Sequence, residues 1–293
     1  MTDYIVTHDG QAHADDLFAY TVLKRLFPAL FLVRTRHKEK IANALIAFDV
    51  GMEYDHSRYR YDHHQNDKPL RESGIPYSAF GLIWKHYGKQ YLETLLSNTD
   101  RLPEVWGAVD NGLVRHIDIG DNGYVCDETK AVMHEFNMTR AVGNGAKDLG
   151  GFLRIVNHFT TQWFETYCTK IAEEMQDLQY VKEKLEQHIG EIFTVEENSM
   201  INPTNAIDFF VDHQEYGVKF VVYPRGKGMW AVNNIRKSHD TFEASAYLPK
   251  EYGGLSGSDL KKHDPDLEFV HSGLFFAVGR TFESVYSLAV GGL

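Results

Sequence analysis

The feature that most constrains this chain is a strand that runs straight into a polar turn and then a helix. Tyr4-Ile5-Val6-Thr7 reads as a buried β-strand, and His8-Asp9-Gly10-Gln11-Ala12-His13-Ala14-Asp15-Asp16 follows at once. From Asp15 to Phe27 the residues Leu17, Phe18, Val22, Leu23, Leu26 and Phe27 recur at helical spacing, and Pro28 closes the segment. Apolar strands are then expected over 30–36 and 44–51. This alternation predicts an α/β fold, whose ligands collect at the carboxyl ends of the strands.

Aspartate and histidine stand at those ends repeatedly. His8, His13, Asp15 and Asp16 crowd the first turn. One acidic residue there would cap the helix, but a cap explains neither histidine nor the second carboxylate. Asp49 closes the strand 44–51 before Gly51, where it either begins a turn or bridges metal ions. Arg58-Tyr59-Arg60-Tyr61 alternates like a strand and leads into Asp62-His63-His64-Gln65. Neighbouring strand residues face opposite ways, so one imidazole can join a cluster while the next leaves it. With 15 histidines in the chain, one adjacent pair is a weak signal by itself. Asp110 lies in a helix begun by Pro103-Glu104, as a ligand or, with Asn111-Gly112, as a C-terminal cap. A buried aspartate is costly unless paired or metal-bound. Imidazole and carboxylate together suit zinc, manganese or iron.

In this order and spacing the chain resembles the DHH phosphoesterase superfamily, and within it the melanocyte proliferating gene 1 family, long labelled metal-dependent protein hydrolases. The matching stretches are Thr7-His8-Asp9-Gly10 to His13-Ala14-Asp15-Asp16, Arg34-Thr35-Arg36, Asp49-Val50-Gly51, Tyr61-Asp62-His63-His64-Gln65 and Val109-Asp110-Asn111-Gly112. A looser match in Phe269-Val270-His271 and the following Gly-Arg-Thr segment extends it over nearly the whole chain. The resemblance implies an N-terminal DHH-type domain with a mostly parallel sheet flanked by helices, and a smaller C-terminal α+β domain. The expected division is 1–158, a helical connector 159–195, and 196–293. The implied activity is a metal-dependent phosphoesterase, with 3′-to-5′ exonuclease action on RNA as the first choice.

Two divalent ions are expected, manganese before magnesium, zinc or iron. His8, His13 and Asp49 would hold one; Asp15, Asp49, His63 and Asp110 the other. A shared water would attack phosphorus. Asp62 would orient a histidine, and His64 would donate to the phosphate. Carried over by position, Arg236, His271 and Arg280 are substrate-binding candidates, with Asn137 and Arg140 as further contacts. The Gly-Gly-Gly-His element of many superfamily exonucleases is absent, and Val270-His271-Ser272-Gly273 replaces it only in part.

Length and charge bound these expectations. At 293 residues, 43% of them apolar, the chain can build two domains. Cys126 and Cys168 are too few and too far apart for a disulfide or zinc scaffold. No charged-then-apolar leader and no apolar run near ~18 residues is visible, so a cytoplasmic protein without membrane contact is expected. A net charge of −11 argues against a broadly basic surface that coats nucleic acid. A phosphate-binding cleft stays compatible with it, because bound divalent ions offset clustered carboxylates. Basic residues gather at Arg34, Arg36 and Lys38, and again at Arg58 and Arg60, although any one of them can serve a surface ion pair.

Two alternatives follow. Arg236-Lys237 would suit a compact phosphoanhydride such as pyrophosphate, and a non-catalytic metal-stabilised binding protein would show closed coordination. Proteolysis gains no support, since neither a His-Glu-x-x-His helix nor a nucleophile elbow occurs.

Elsewhere, helices are expected over 78–87 and 90–96, and a surface loop over 118–127. In the helical stretch 160–189, Phe164, Ile171, Leu178 and Leu185 recur every seven residues. Such a stripe packs within the chain or forms a homodimer seam. Strands are expected at Phe209-Phe210-Val211, 219–223, 229–232, 242–247 and Phe269-Val270-His271, with a closing helix over 281–290.

Overall fold

In the computed structural model the described residues are 3–124, 146–188, 190–255 and 257–293. Cys126, Asn137 and Arg140 lie outside them. The chain divides into two units, Met1–Ala172 and Glu173–Leu293. The helix Thr161–Leu185 crosses the division, with Phe164 packing in the first unit and Val181 in the second.

The first unit is built on strands β1 (Tyr4–Thr7), β2 (Phe31–Arg34), β3 (Ile46–Phe48), β4 (Tyr54–Asp55) and β5 (Arg60–Tyr61), in the order β2-β1-β3-β5-β4. All neighbours are parallel except β4, which runs antiparallel on the edge. A mostly parallel sheet flanked by helices is thus the architecture. Helix α1 (Ala14–Leu26) is buried all round from Ala14 to Leu23, the two carboxylates of its first turn included. Its Phe18 meets Phe80 of helix α3 (Ala79–Glu93) at 5.5 Å between ring centres and Phe164 at 5.4 Å. Between β2 and β3 lies the short helix α2 (Lys38–Ala42).

Helix α4 (Leu102–Val109) passes through a π-helical turn, Asp110–Val114, into α5 (Arg115–Asp121). Residues 118–121 are therefore helical, against the expected surface loop, and Asp118 is wholly buried. Ser78 caps α3 and donates its hydroxyl to Asp118 at 2.6 Å. Gly81 sits against the same carboxylate, where a Cβ would stand 2.3 Å from Oδ1. Gly81→Ala is therefore expected to destabilise the protein by about 1–3 kcal/mol through overpacking. An unchanged urea midpoint would show that α3 and α5 move apart freely.

After α6 (Leu149–Ile155) and a second π-helical turn comes α7 (Thr161–Leu185). The second unit holds β6 (Ile192–Thr194), α8 (Pro203–Asp212), β7 (Phe220–Gly226), β8 (Met229–Asn234), α9 (Gly257–His263), β9 (Leu267–Val270), β10 (Phe276–Gly279) and α10 (Phe282–Gly291). Its sheet runs β6-β7-β8-β10-β9, antiparallel apart from β6 beside β7. Alternation along β7 sends Val222 into a core with Val232, Leu260 and Leu288, and Val221 into another with Val181, Phe193 and Phe210. Phe209-Phe210-Val211 belongs to α8 and is not a strand. Asn202 caps that helix and Pro203 opens it. Of the strand expected over 242–247, only an isolated bridge between Arg236 and Ala244 is present.

Candidate metal centre

The strand order brings the polar residues together. β1, β3 and β5 lie side by side and parallel, so their carboxyl ends share one edge. His8 follows β1, Asp49 follows β3, and Asp62-His63-His64 follows β5. The first turn of α1 and the end of α5 add His13, Asp15 and Asp121. Single ligand atoms of His8, His13 and Asp16, of Asp49, His63 and His64, of His13, Asp15 and Asp121, and of Asp15, Asp16 and Asp49 lie within 4.8 Å of one another in each set.

Hydrogen bonding fixes what these groups offer. Nδ1 of His8 is 2.8 Å from the carbonyl oxygen of Asp9, which can only accept, so Nδ1 carries the ring proton. Nε2 then faces Asp16 at 2.9 Å and Asp49 at 3.2 Å. His63 repeats the pattern. The side-chain amide nitrogen of Asn122 shares its two protons among the carbonyls of Pro76, Tyr77 and Asp118, so its oxygen faces Nδ1 of His63, at 3.3 Å, and accepts from it. Nε2 of His63 is left between Asp49 at 3.2 Å and Asp121 at 3.1 Å. A neutral imidazole has no proton for either contact. Either a cation lies between, or each ring takes a second proton. Burial would lower both imidazoles, but the carboxylates outweigh it and push His8 and His63 up to about 10.

The carboxylates point the same way. Asp15 is fully buried, and neither of its oxygens has a hydrogen-bond partner among the described residues. Burial first, then the charges of Asp121, Asp49 and Asp16, hold its pKa well above the carboxylate range. Asp49 Oδ1 is likewise without a hydrogen bond among the described residues. An ionised, unpaired carboxylate beside three others calls for a cation among them, and these imidazole and carboxylate donors fit a metal centre. Asp16 differs: it accepts from Thr7 at 2.9 Å, from the His13 amide at 3.0 Å, and meets His8. Burial raises its pKa, but these contacts prevail and lower it. It therefore ties the helix start to β1.

Asp49 has φ 51°, the left-handed region that Asp and Asn tolerate best among residues with side chains. Asp62 accepts from the amides of His63 and His64 and meets Nδ1 of His64 at 2.7 Å. Burial would raise Asp62, yet the bonds from His64 and from the Met52 amide hold it below its usual value. Its hydrogen bond in turn raises His64, whose side chain is about half exposed. Arg34 makes no ion pair among the described residues. Its guanidinium binds the carbonyls of His8, Gly10 and Ala146, steadying the first turn.

Asp110 is not among these groups. Both its oxygens are held by Arg71, at 2.6 and 3.0 Å, and Arg71 also binds Asp118 at 2.6 Å. Burial drives the Asp118 carboxyl up to about 6 despite that arginine. The place expected for Asp110 is taken by Asp121. The sequence carries Asp-Asn-Gly twice, at 110–112 and 121–123, and the second copy reaches the cluster. The Asp118-x-x-Asp121 spacing on one helix was the signal available.

The three C-terminal candidates lie in the second unit. Arg236 stands 6.0 Å from the Phe242 ring, Nδ1 of His271 accepts from the Gly273 amide at 2.9 Å, and Arg280 pairs with Glu268 at 2.5 Å. Lys237 is in an ion pair with Glu243. Among the described residues no helix is long and apolar enough to cross a membrane.

A parallel sheet that gathers imidazoles and carboxylates on its carboxyl edge defines an α/β protein built around a metal-ligand cluster. Residues 4–293 match the profile of MYG1_exonuc, described as "Uncharacterised protein family (UPF0160)", and the chain belongs to that family. The chain is 27% identical over 318 residues to the MYG1 exonuclease of Homo sapiens, covering 97% of this chain and 84% of that protein. It is 25% identical over 321 residues to the MYG1 protein of Dictyostelium discoideum, covering 98% and 95%. Among solved structures, RecJ from Thermus thermophilus in complex with Mg2+ aligns at TM-score 0.26 and 15% identity, over 98% of this chain and 48% of RecJ. The chain spans about half the length of RecJ.

Proposed function

We propose that this chain is a metal-dependent phosphoric ester hydrolase that removes nucleotides from the 3′ end of RNA. The observation that carries the reading is the buried set of Asp15, Asp49, His8 and His63: both Asp15 oxygens and Asp49 Oδ1 have no hydrogen-bond partner among the described residues, and Nε2 of each imidazole faces Asp49 at 3.2 Å. The names of relatives such as the human MYG1 exonuclease agree with it. His8, His13 and Asp49 would hold one divalent ion, manganese by preference, and Asp15, Asp49, His63 and Asp121 a second, with Asp49 shared. Bound there, such ions lower the pKa of water and neutralise charge gathering on a phosphoryl group.

The chain's own groups do the rest. The Asp9 carbonyl and the Asn122 amide fix both ligand imidazoles with Nε2 turned to the cluster. Asp62 holds His64 by Nδ1 and raises its pKa, so His64 keeps a proton to donate to a phosphate or leaving oxygen. His13 and His64 are each about half exposed, and the cluster opens into a cleft. That opening argues against closed structural coordination. Of the two cations behind the pyrophosphate alternative, Lys237 is paired with Glu243 and Arg236 stands over the Phe242 ring, both in the second unit.

The test uses protein stripped by chelator and reloaded separately with manganese, magnesium, zinc or iron. On an oligoribonucleotide labelled at its 5′ end, the expected product is a ladder that shortens one nucleotide at a time, fastest with manganese. An intact oligonucleotide under every metal, with or without pyrophosphate hydrolysis, overturns the reading.

A further inference from the structure

The cleft beside the cluster has a volume of about 670 Å³ and lies within the first unit, in the size range of small-ligand sites. His8, His13, Asp49 and Asp121 of the cluster line it. Its lining also includes groups the mechanism above leaves idle: Ile41 and Met52 offer apolar surface, and Arg36, Lys38 and Arg58 offer positive charge. The cleft is lined by four cations, Arg36, Lys38, Arg58 and Arg60, and four carboxylates, Asp49, Glu53, Asp62 and Asp121, so it is locally balanced in a chain of net charge −11. Arg36 is paired with Asp9 and Arg58 with Glu53, all on exposed side chains. Lys38 is exposed and makes no ion pair among the described residues.

Met52 is the odd residue. It is 61% exposed, an apolar side chain displayed in a polar cleft. Its φ is 59°, a left-handed conformation that a long side chain rarely adopts. Its amide donates to Asp62 Oδ2 at 2.6 Å, so the carboxylate that orients His64 also holds Met52 in place. A strained, exposed methionine tied to the proton-donating histidine has no role in packing the core. A polarisable thioether in the same cleft as Ile41 suits the face of an aromatic ring.

We propose that this cleft seats the terminal nucleotide of a single-stranded substrate, its base against Met52 and Ile41 and an adjoining phosphate against Lys38 and Arg58. This inference rests on the nuclease reading above and locates the substrate in the first unit. The test is binding without turnover: anisotropy of a tetraribonucleotide dye-labelled at its 5′ end, with the full chain in chelator. Lys38→Ala and Met52→Ala are each expected to weaken binding about tenfold, and Lys38→Ala to flatten its salt dependence. Met52→Leu should bind within about twofold of the unsubstituted protein. Manganese affinity by calorimetry should be unchanged in all three, which confirms an intact cluster. Equal binding by both alanine variants, or no binding by the unsubstituted protein, overturns the seat. Trimming with unaltered affinity in both variants keeps the hydrolase and removes the seat. Variant-sensitive binding with no cleavage under any metal keeps the seat and removes the hydrolase.

Discussion

Asp15→Asn is expected to slow hydrolysis sharply and, in the metal-free protein, to raise stability. Asp15 is fully buried, accepts no hydrogen bond among the described residues, and shares its surroundings with Asp49, Asp121 and Asp16. Its pKa is therefore raised, so the folded state holds the carboxyl proton more tightly than the unfolded chain does. The sign follows from that. No penalty exists below the ordinary value of 3.8; it grows as pH rises from there and levels off above the folded value. An amide of the same shape removes the charge and with it the penalty. At neutral pH the metal-free variant should gain about 1–2 kcal/mol, or roughly 2–4 °C in Tm per kcal/mol. With saturating manganese the ranking should reverse, and kcat should fall by about 10²–10³-fold or more. Melting curves in chelator at about pH 4 and pH 7.5 check it. A variant less stable than its parent at both pH values would mean that Asp15 already has a partner, and the argument for a cation there would be lost.

Metal binding is expected to release about two protons from the imidazoles near neutral pH. In the metal-free protein His8 and His63 stand at about 10, so each carries a second proton at pH 7.5. A group raised in the fold contributes stability that is complete below its ordinary 6.5 and lost as pH climbs through about 10. The metal-free protein should therefore lose stability between those limits. A divalent cation displaces both protons, so its affinity should climb by up to about 100-fold per pH unit over the same interval. Calorimetry of manganese binding in two buffers of different ionisation enthalpy reads the proton count directly. Heats that do not depend on buffer would show neutral imidazoles in the metal-free state, with their Nε2–carboxylate contacts answered in some other way.

Much of the site was legible because its residues follow elements with plain signals. Tyr4–Thr7 is a short apolar run, and α1 repeats at helical spacing, so the turn between them could be placed and its histidines and carboxylates noticed. Asp49 and Asp62-His63-His64 were readable for the same reason, as strand ends. Asp121 was missed because 118–127 looks like a loop, rich in Gly and Asp. Burial of Asp118 against Ser78 and Arg71 is a tertiary fact that local composition does not carry. With that helix misread, the earlier Asp-Asn-Gly took the role, and nothing local revealed that Arg71 would occupy Asp110. Phe209-Phe210-Val211 failed differently. Three apolar residues in a row suit either element, and the Asn202-Pro203 start signal should have decided for the helix. Arg236, His271 and Arg280 came from the loosest stretch of the resemblance, and each makes its contacts with neighbours in the second unit.

The left-handed backbone at residue 49 narrows what can stand there. Glycine would accept the torsion and discard the donor atoms; most larger residues would resist the torsion. Asparagine alone keeps both the bend and the outline while deleting the negative charge. One nitrogen in place of one oxygen thus offers a decoy of near-native form, suited to capturing a substrate without hydrolysing it if the proposed activity holds.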